Sequence, residues 1–276
     1  MKTIFTVLFA ILIFGVNILS AQRLEKVWET TTELKTPESV IYYPEKDVIY
    51  VANINGDPVA KDGNGFISVL SPDGKIKNLE WIKNLNAPKG MAIYKGKLYV
   101  SDITQLVEID IEKGTITAKY DAPDAVFLND VTACMNGMIF VSDNRTAKIH
   151  VLNEGKFTVW MEGKPLETPN GLMAEKEKLL VGDKNIYEVD IQTKKTTLLI
   201  ENAGGVDGLE KNNTGDFVFS NWPGRIFIHK NGKTTKLLDT TAQELKTADI
   251  DYALKLDLVL VPTFFDNRIV AYKIVY

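Results

Sequence analysis

From residue 22 onward, short apolar runs alternate with polar turns, and the pattern recurs about every 40 residues. Each repeat opens with a triplet in which an anchor residue precedes a small or acidic residue and then an aliphatic one. The six triplets are Glu38-Ser39-Val40, Lys89-Gly90-Met91, Asn129-Asp130-Val131, Asn170-Gly171-Leu172, Asp207-Gly208-Leu209 and Ala248-Asp249-Ile250. A period of this length made of short strands predicts an all-β fold, a six-bladed β-propeller with four antiparallel strands per blade.

The strands within a repeat differ in polarity. The second strand is a dense apolar run, such as Val48-Ile49-Tyr50-Val51, which predicts burial on both faces between neighbouring blades. The fourth strand is more polar, as expected for an outer edge. The sixth repeat ends at Tyr276 after its third strand, so we expect Leu24 to Thr30 to supply the missing strand and close the ring.

The first 21 residues have the pattern of a cleaved secretory signal. Lys2 precedes an apolar run from Ile4 to Phe14, and Ala21 ends the segment with a small residue. The sequence therefore predicts a signal peptide at 1–21, a single propeller domain at 22–276, a secreted or periplasmic location and no stable membrane anchor. The alternative is an N-terminal anchor that is retained.

Composition narrows the range of partners. The 32 basic and 36 acidic side chains give a net charge of −4, and no basic run occurs. This mildly acidic, mixed surface argues against nucleic acid as a partner, and the sequence does not identify a protein partner. The single cysteine, Cys134, lies in a predicted inner strand and is expected to be a buried apolar residue.

The anchor positions carry the candidate chemistry, because every blade of a propeller presents the same position to the central channel. Glu38, Asn129, Asn170 and Asp207 would converge there, although they are far apart in sequence. Two carboxylates and two amide oxygens are hard donors, so we expect one divalent cation, Ca²⁺ first, with Zn²⁺, Mg²⁺ or Mn²⁺ as alternatives. The competing interpretation is that these residues hydrate the channel and form turns.

The same anchors resemble those of a known family. Pro37-Glu38, Leu128-Asn129-Asp130, Pro169-Asn170-Gly171 and Val206-Asp207-Gly208 are similar to the motifs of the gluconolactonase (regucalcin-like) family, to which the paraoxonases and diisopropyl-fluorophosphatase are related. The resemblance implies a six-bladed propeller with one catalytic divalent metal and hydrolysis of lactones. It implies that Glu38, Asn170 and Asp207 are metal ligands and that Asp207 is also a general base. Asn129 would contact the metal, its water or the substrate.

The chain also departs from this family. Phe127 stands where gluconolactonases have an arginine that reaches substrate hydroxyls, which argues against sugar lactones. Neither His150 nor His229 corresponds to the histidine pair of the paraoxonases, and both are expected to be ordinary blade residues. Lys89 occupies the second anchor, where its amine could be held by the carboxylates, stabilise a developing oxyanion as a catalytic group, or take the place of the metal.

Three further features surround the anchors. A polar residue ends the second strand of five repeats, and its regularity predicts a structural role. These residues are Asn53, Asp102, Asp143, Asp183 and Asn221. An insertion at 55–65 predicts a rim or lid over the channel. Trp222, Phe264 and Phe265 follow second strands and are expected either to wall the site or to pack between loops.

Two functions remain open at this stage. The first is a secreted metal-dependent hydrolase of a small lactone or ester, with Asp207, Asn129 and Lys89 as catalytic residues. The second is a non-catalytic propeller that binds a ligand or a protein and holds a structural axial metal or none. The retained Glu, Asn, Asn, Asp set favours the first, and Lys89 together with the missing arginine favours the second.

Overall fold

The computed structural model describes residues 22–122 and 124–276, so the predicted signal peptide lies outside the described residues. These residues form six four-stranded antiparallel sheets in a ring, which confirms the predicted six-bladed propeller. The first strand of each blade lies at the axis and the fourth at the outside. Five blades follow chain order, and the sixth takes its outer strand from the start of the described chain.

The strand bounds follow the repeats. Blade one contains β2 Pro37–Tyr43, β3 Val48–Asn53, β4 Gly65–Leu70 and β5 Ile76–Leu85. Blade two contains β6 Pro88–Tyr94, β7 Lys97–Asp102, β8 Gln105–Asp110 and β9 Thr115–Asp121. Blade three contains β10 Leu128–Ala133, β11 Ile139–Asp143, β12 Lys148–Asn153 and β13 Lys156–Glu162.

The second half of the ring has shorter inner strands. Blade four contains β14 Leu172–Glu175, β15 Lys178–Gly182, β16 Ile186–Asp190 and β17 Thr196–Ile200. Blade five contains β18 Leu209–Lys211, β19 Phe217–Asn221, β20 Arg225–Lys230 and β21 Lys233–Asp239. Blade six contains β22 Asp251–Ala253, β23 Leu258–Pro262, β24 Ile269–Val275 and the N-terminal β1 Arg23–Glu29.

The ring closes through β1, as the sequence predicts. β1 pairs with β24 in antiparallel register from Arg23 opposite Val275 to Glu29 opposite Val270. The Thr30 amide extends this ladder by donating to the Ile269 carbonyl at 3.0 Å. β1 therefore covers the edge of β24 and gives the last blade four strands, like the other five.

The hydrophobic core lies between neighbouring blades rather than at the centre of the ring. Tyr50 and Ile67 of blade one pack in the same buried cluster as Met91 and Val107 of blade two. Every residue of β3 is buried, as its unbroken apolar pattern predicts. Cys134 is also buried, as expected.

Small residues after the anchors let adjacent blades approach closely at the axis. A Cβ added to Gly90 would lie 2.5 Å from the Asp130 Cα, and one added to Gly171 would lie 2.4 Å from the Asp207 carbonyl oxygen. A Cβ on Gly208 would lie 2.3 Å from the Ile250 nitrogen. Glycine is therefore required in these three triplets because backbone occupies the space of a side chain.

Helical structure is minor. Within the described residues only two single-turn 3₁₀ helices occur, η1 at Thr241–Gln243 and η2 at Phe264–Asp266. No helix in this part of the chain is both long enough and apolar enough to cross a membrane.

The closing strand offers a matched pair of substitutions. Leu24 is 9% exposed and belongs to the core between blades five and six, whereas Val27 of the same strand is 54% exposed. We expect Leu24→Ala to lower the free energy of unfolding by about 2 kcal/mol, because it leaves a cavity at the closure. Val27→Ala should change it by less than about 0.5 kcal/mol.

Urea unfolding of both variants, followed by far-ultraviolet circular dichroism, measures the difference. Equal stability of the two variants would contradict a role of β1 in closing the ring.

Candidate functional site

The polar residues that end the second strands fix the loops that lead to the anchors. The Asp102 carboxylate accepts hydrogen bonds from the amides of Asn86 and Ala87, the latter at 2.8 Å. Asp183 accepts from the amides of Glu167 and Thr168 at 2.8 and 2.9 Å. The predicted structural role of this repeated set is therefore confirmed.

The other three members also bond to the backbone of the equivalent loop. Asp143 accepts from the Val126 amide at 2.8 Å, and Asn53 accepts from the Lys35 amide at 2.9 Å. Asn221 instead donates, from its Nδ2, to backbone carbonyls of the loop before β18. In each case the bonded loop precedes the first strand of the same blade, so these bonds position the anchor residue of that blade.

In three blades a serine directly precedes the polar residue that ends the second strand, and it connects the anchor backbones. The sequence analysis did not identify these serines. The Ser142 Oγ accepts from the Asp130 amide at 2.9 Å, and the Ser101 hydroxyl donates to the Asn129 carbonyl of the next blade. The Ser220 Oγ accepts from the Gly208 amide and donates to the Ala248 carbonyl, both at 2.8 Å. The recurring Ser-Asp or Ser-Asn dipeptide is the sequence signal for this connection.

The anchors line one cavity at the axis. Its volume is about 240 Å³, and Glu38, Asn129, Asn170 and Asp207 all contribute to its wall, as does Lys89. The remaining lining residues are Ile54, Pro58, Phe127, Asn144, Trp222 and Phe264. The structure therefore brings together all five residues that the sequence nominated for chemistry.

Two oxygens in this cavity have no hydrogen-bond partner. The Asn170 Nδ2 donates to the Asp207 Oδ1 at 2.7 Å, which leaves the amide oxygen of Asn170 free. The Asn170 Oδ1 and the Glu38 Oε2 are both buried without a partner. A buried acceptor without a donor costs about 1–3 kcal/mol, so these atoms have the character of ligands for a group that binds there.

Burial changes the protonation of both anchor carboxyls. It raises the pKa of Asp207 to about 7, against the opposing effect of the Asn170 hydrogen bond. Burial also raises the pKa of Glu38 well above its usual range, and the charges of Asp207 and Asp249 add to this shift. Without a cation, the cavity therefore disfavours two ionised carboxylates.

Lys89 lies in the cavity wall, but the carboxylates do not hold it. Its side chain is 1% exposed, and Nζ donates to the carbonyls of Pro58 at 3.0 Å and Ala87 at 2.9 Å. Among the described residues no carboxylate lies within ion-pair distance of this ammonium, which instead sits 4.5 Å from the centroid of the Phe127 ring. Burial lowers the pKa of Lys89 to about 8, although the charge of Glu38 opposes this shift.

This placement corrects one expectation from the sequence. The Lys89 ammonium neither pairs with the anchor carboxylates nor saturates the free oxygens of Glu38 and Asn170. It fastens the insertion between β3 and β4, because Pro58 belongs to that loop and also lines the cavity. The predicted rim role of the insertion is thus consistent with its position.

The anchor set fits a divalent cation by its chemistry. A charge of −2 from Glu38 and Asp207, with amide oxygens from Asn129 and Asn170, is the donor type that Ca²⁺ prefers. Within residues 22–122 and 124–276 no group of three or more His, Cys, Asp and Glu side chains is placed to hold a metal ion. A cation at this site would therefore need the amide oxygens, and the free Asn170 Oδ1 meets that requirement.

The histidines lie elsewhere, as expected. His150 is buried in β12 with its ring 5.5 Å from that of Phe157, and burial lowers its pKa. His229 is partly exposed in β20, where its Nδ1 lies 2.9 Å from the Thr234 Oγ1. Neither belongs to the wall of the cavity.

Three aromatic residues form a cluster at the cavity. Trp222 and Phe264 line it, while Phe265 packs edge-on against both rings. Both alternatives from the sequence therefore apply, because the rings pack between loops and two of them also wall the site.

A second cavity, of about 260 Å³, follows the inner strands beyond the anchors. Four acidic side chains line it: Asp130, Glu210, Asp249 and Asp251. Burial raises the pKa of each of them, that of Asp251 to about 7. The sequence analysis placed Asp130 and Asp249 in the repeat triplets but did not bring them together with Glu210 and Asp251.

Comparison with solved structures supports the fold. Virginiamycin B lyase from Staphylococcus aureus, solved as a catalytically inactive His-to-Ala variant with quinupristin, superposes with a TM-score of 0.63 at 14% identity. The match covers 92% of this chain and 100% of that one.

Two other matches lie in different contexts. The extracellular domain of a one component system from B. thetaiotaomicron gives a TM-score of 0.59 at 10% identity, over 91% of this chain and 40% of that one. The WD40 β-propeller domain of Doa1 superposes with a TM-score of 0.64 at 13% identity, over 85% of this chain and 77% of that one. No family model and no curated protein sequence matches the chain. At these identities the likeness extends to the propeller fold, and the resemblance to gluconolactonases stays a prediction.

The buried carboxyls predict how stability depends on pH. A carboxyl whose pKa is raised in the fold contributes stability that is present below its unfolded pKa, about 4, and lost as pH rises through its folded value. We therefore expect the melting temperature of chelator-treated protein to fall between pH 5 and pH 8. Asp251→Asn should flatten this decline by several degrees, because it removes one group whose pKa is raised to about 7.

Differential scanning fluorimetry across this pH range tests the expectation. Glu201→Gln, an exposed substitution, is the matched control and should follow the parent protein. A melting temperature that rises from pH 5 to pH 8 would contradict the burial of these carboxyls in protonated form.

Proposed function

We propose that this protein is a secreted hydrolase of a small lactone or ester that depends on a divalent metal. The observation that carries the proposal is the pair of buried, unpartnered oxygens, Glu38 Oε2 and Asn170 Oδ1, in a cavity shared with Asp207. A buried lysine lines the same cavity but bonds to backbone carbonyls instead of these oxygens. The free oxygens are thus available to a cation of the kind that the anchor set predicts.

A divalent ion at this site would polarise the substrate carbonyl and lower the pKa of a water. Glu38, Asn170 and Asp207 would hold the ion, and Asn129 would contact the ion or the substrate. Asp207 serves as the general base that accepts a proton from the attacking water, and the Asn170 Nδ2 orients its carboxylate at 2.7 Å. The Lys89 ammonium, close to this cavity wall, favours the negative charge that develops on the carbonyl oxygen.

The proposal includes export of the protein. The signal-like segment at 1–21 supports it, and some structural neighbours are extracellular domains. A lyase reaction that depends on a histidine has less support, because neither histidine of this chain lines the cavity.

A second candidate is ligand binding without catalysis. The observation in its favour is the buried Lys89 ammonium, which already places one positive charge in the cavity that Glu38 lines. Metal analysis, followed by a pH-indicator screen of lactones and esters with and without chelator, separates the two candidates. Hydrolysis that chelation abolishes and Ca²⁺ restores supports the first.

Asp207→Asn tests the base directly. It keeps an oxygen donor but removes one charge and the proton acceptor, so we expect kcat to fall at least about 100-fold while the protein still binds metal with lower affinity. Kinetics on the best lactone and isothermal titration with Ca²⁺ measure the two effects. Glu201→Gln is the surface control. Unchanged kcat in Asp207→Asn, or activity that chelation leaves intact, would refute the hydrolase proposal.

Lys89→Met tests whether the buried ammonium acts on the reaction. Methionine keeps the length and apolar contacts of the side chain but removes its charge, so we expect kcat to drop about tenfold or more with a smaller effect on stability. Parallel kinetics and thermal melts give the two values. A large loss of melting temperature with normal kcat would instead assign Lys89 to fastening the Pro58 loop.

A further inference from the structure

We propose that the aromatic cluster beside the axial cavity is a subsite for an apolar arm of the substrate. The substrate would then be a lactone or ester with an alkyl or aryl substituent, not a polyhydroxylated one. This inference rests on the proposed function, because it assigns the substrate class of the same cavity. We define the aromatic cluster as Trp222, Phe264 and Phe265.

The cluster is held in place by its own packing. The Phe264 and Phe265 rings meet edge to face at 4.7 Å between centroids, and Trp222 meets them at 5.9 and 6.3 Å. The Lys246 ammonium lies 4.5 Å from the Trp222 ring. Trp222 follows β19 and the two phenylalanines belong to η2, so loops from blades five and six supply the cluster.

The three rings of the cluster become more exposed with distance from the cavity. Phe264 is 7% exposed and Trp222 is 41% exposed, and both line the cavity that contains the anchors. Phe265 is 64% exposed and lies beyond them. Apolar surface therefore continues from the candidate reaction centre to solvent, which is the arrangement that a substituent leading away from a reacting carbonyl would bury.

Three further residues of the wall are apolar. Ile54, Pro58 and Phe127 line the same cavity, and Phe127 is covered by the Lys89 ammonium at 4.5 Å and the Arg145 guanidinium at 4.4 Å. Apart from the anchors and Lys89, Asn144 is the one polar residue among the described lining residues, and its Nδ2 donates to the Thr168 carbonyl at 3.4 Å.

Hydroxyls on a substituent that points toward the aromatic cluster would therefore find few partners. Buried hydroxyls without partners disfavour binding, whereas each added methylene of an alkyl arm gains from leaving water. The composition of the wall selects for apolar substituents over hydroxyl-bearing ones.

The test compares δ-valerolactone with δ-lactones that carry alkyl chains of increasing length, and with gluconolactone, on the Ca²⁺-loaded protein. We expect kcat/KM to rise about threefold per methylene until the chain passes the cluster, with most of the change in KM. Trp222→Ala should lower kcat/KM for the long-chain lactone about tenfold more than it lowers kcat/KM for δ-valerolactone.

Phe265→Ala, at an exposed position, is the second variant. We expect its kcat/KM to stop rising at a shorter alkyl chain than in the parent protein. Met135→Ala is the matched control, since Met135 is 82% exposed in a blade-three turn that is not part of the cavity wall. Equal rates for short and long chains, or a preference for gluconolactone, would overturn the proposed subsite. An equal loss in Trp222→Ala for both substrates would overturn it as well.

Titration with the matching alkyl lactams, which resist hydrolysis, keeps this result separate from catalysis. Affinity that grows with chain length and falls in Trp222→Ala supports the subsite even if no lactone is hydrolysed, in which case only the hydrolase proposal fails. Hydrolysis of lactones with no dependence of lactam affinity on chain length refutes the subsite and leaves the hydrolase proposal standing.

Discussion

The candidate site depends on the hydrogen bonds made by the buried polar residue that ends the second strand. In five blades this side chain bonds to backbone groups of the loop that precedes the first strand, as Asp102 does with the amides of Asn86 and Ala87. Charged acceptors make these bonds stronger than neutral ones, and Asp102 and Asp143 are almost fully buried. The loop therefore cannot move without leaving a buried carboxylate unpaired, and the anchor at its end is held at the axis.

The same arrangement of inner strands and loops brings several carboxyl side chains close together at the axis. Glu38 and Asp207 lie in one axial cavity, and Asp130 and Asp249 lie in the next. Burial raises the pKa of all four carboxyls, so this part of the fold is less stable at neutral pH than a neutral channel would be. Lys89 offsets little of this, because its bonds go to carbonyls. Such local conflict between stability and charge is typical of functional sites.

The sequence predicted the ring and its closure because both follow from periodicity. A fixed repeat places equivalent residues at equivalent points, so Glu38, Asn129, Asn170 and Asp207 could be assigned to one cavity without coordinates. The contact of Lys89 could not be predicted in this way. It depends on the path of the insertion that carries Pro58, and an insertion has no counterpart in the other blades.

The glycine requirement and the second acidic cavity also escaped prediction, for a different reason. The sequence shows a small residue after three anchors, but only the structure shows that the backbone of the next blade fills the space at Gly171. Asp249 and Asp251 alternate at the start of the inner strand β22, where a polar residue ordinarily faces solvent. In a propeller the inner strands of the six blades face one another across the axis. A polar residue that alternates along such a strand can therefore be buried.

Propellers with the same architecture differ in the side chains that meet at the axis, and this limits what the fold can say about function. Both histidines of this chain lie in the blades. The axis of this chain instead presents oxygen donors. An amide oxygen and a carboxylate oxygen remain unpartnered there, although a buried ammonium lines the same cavity. Since that ammonium is already bonded to two carbonyls, the divalent cation of the proposed function would satisfy both oxygens and neutralise both carboxylates at once.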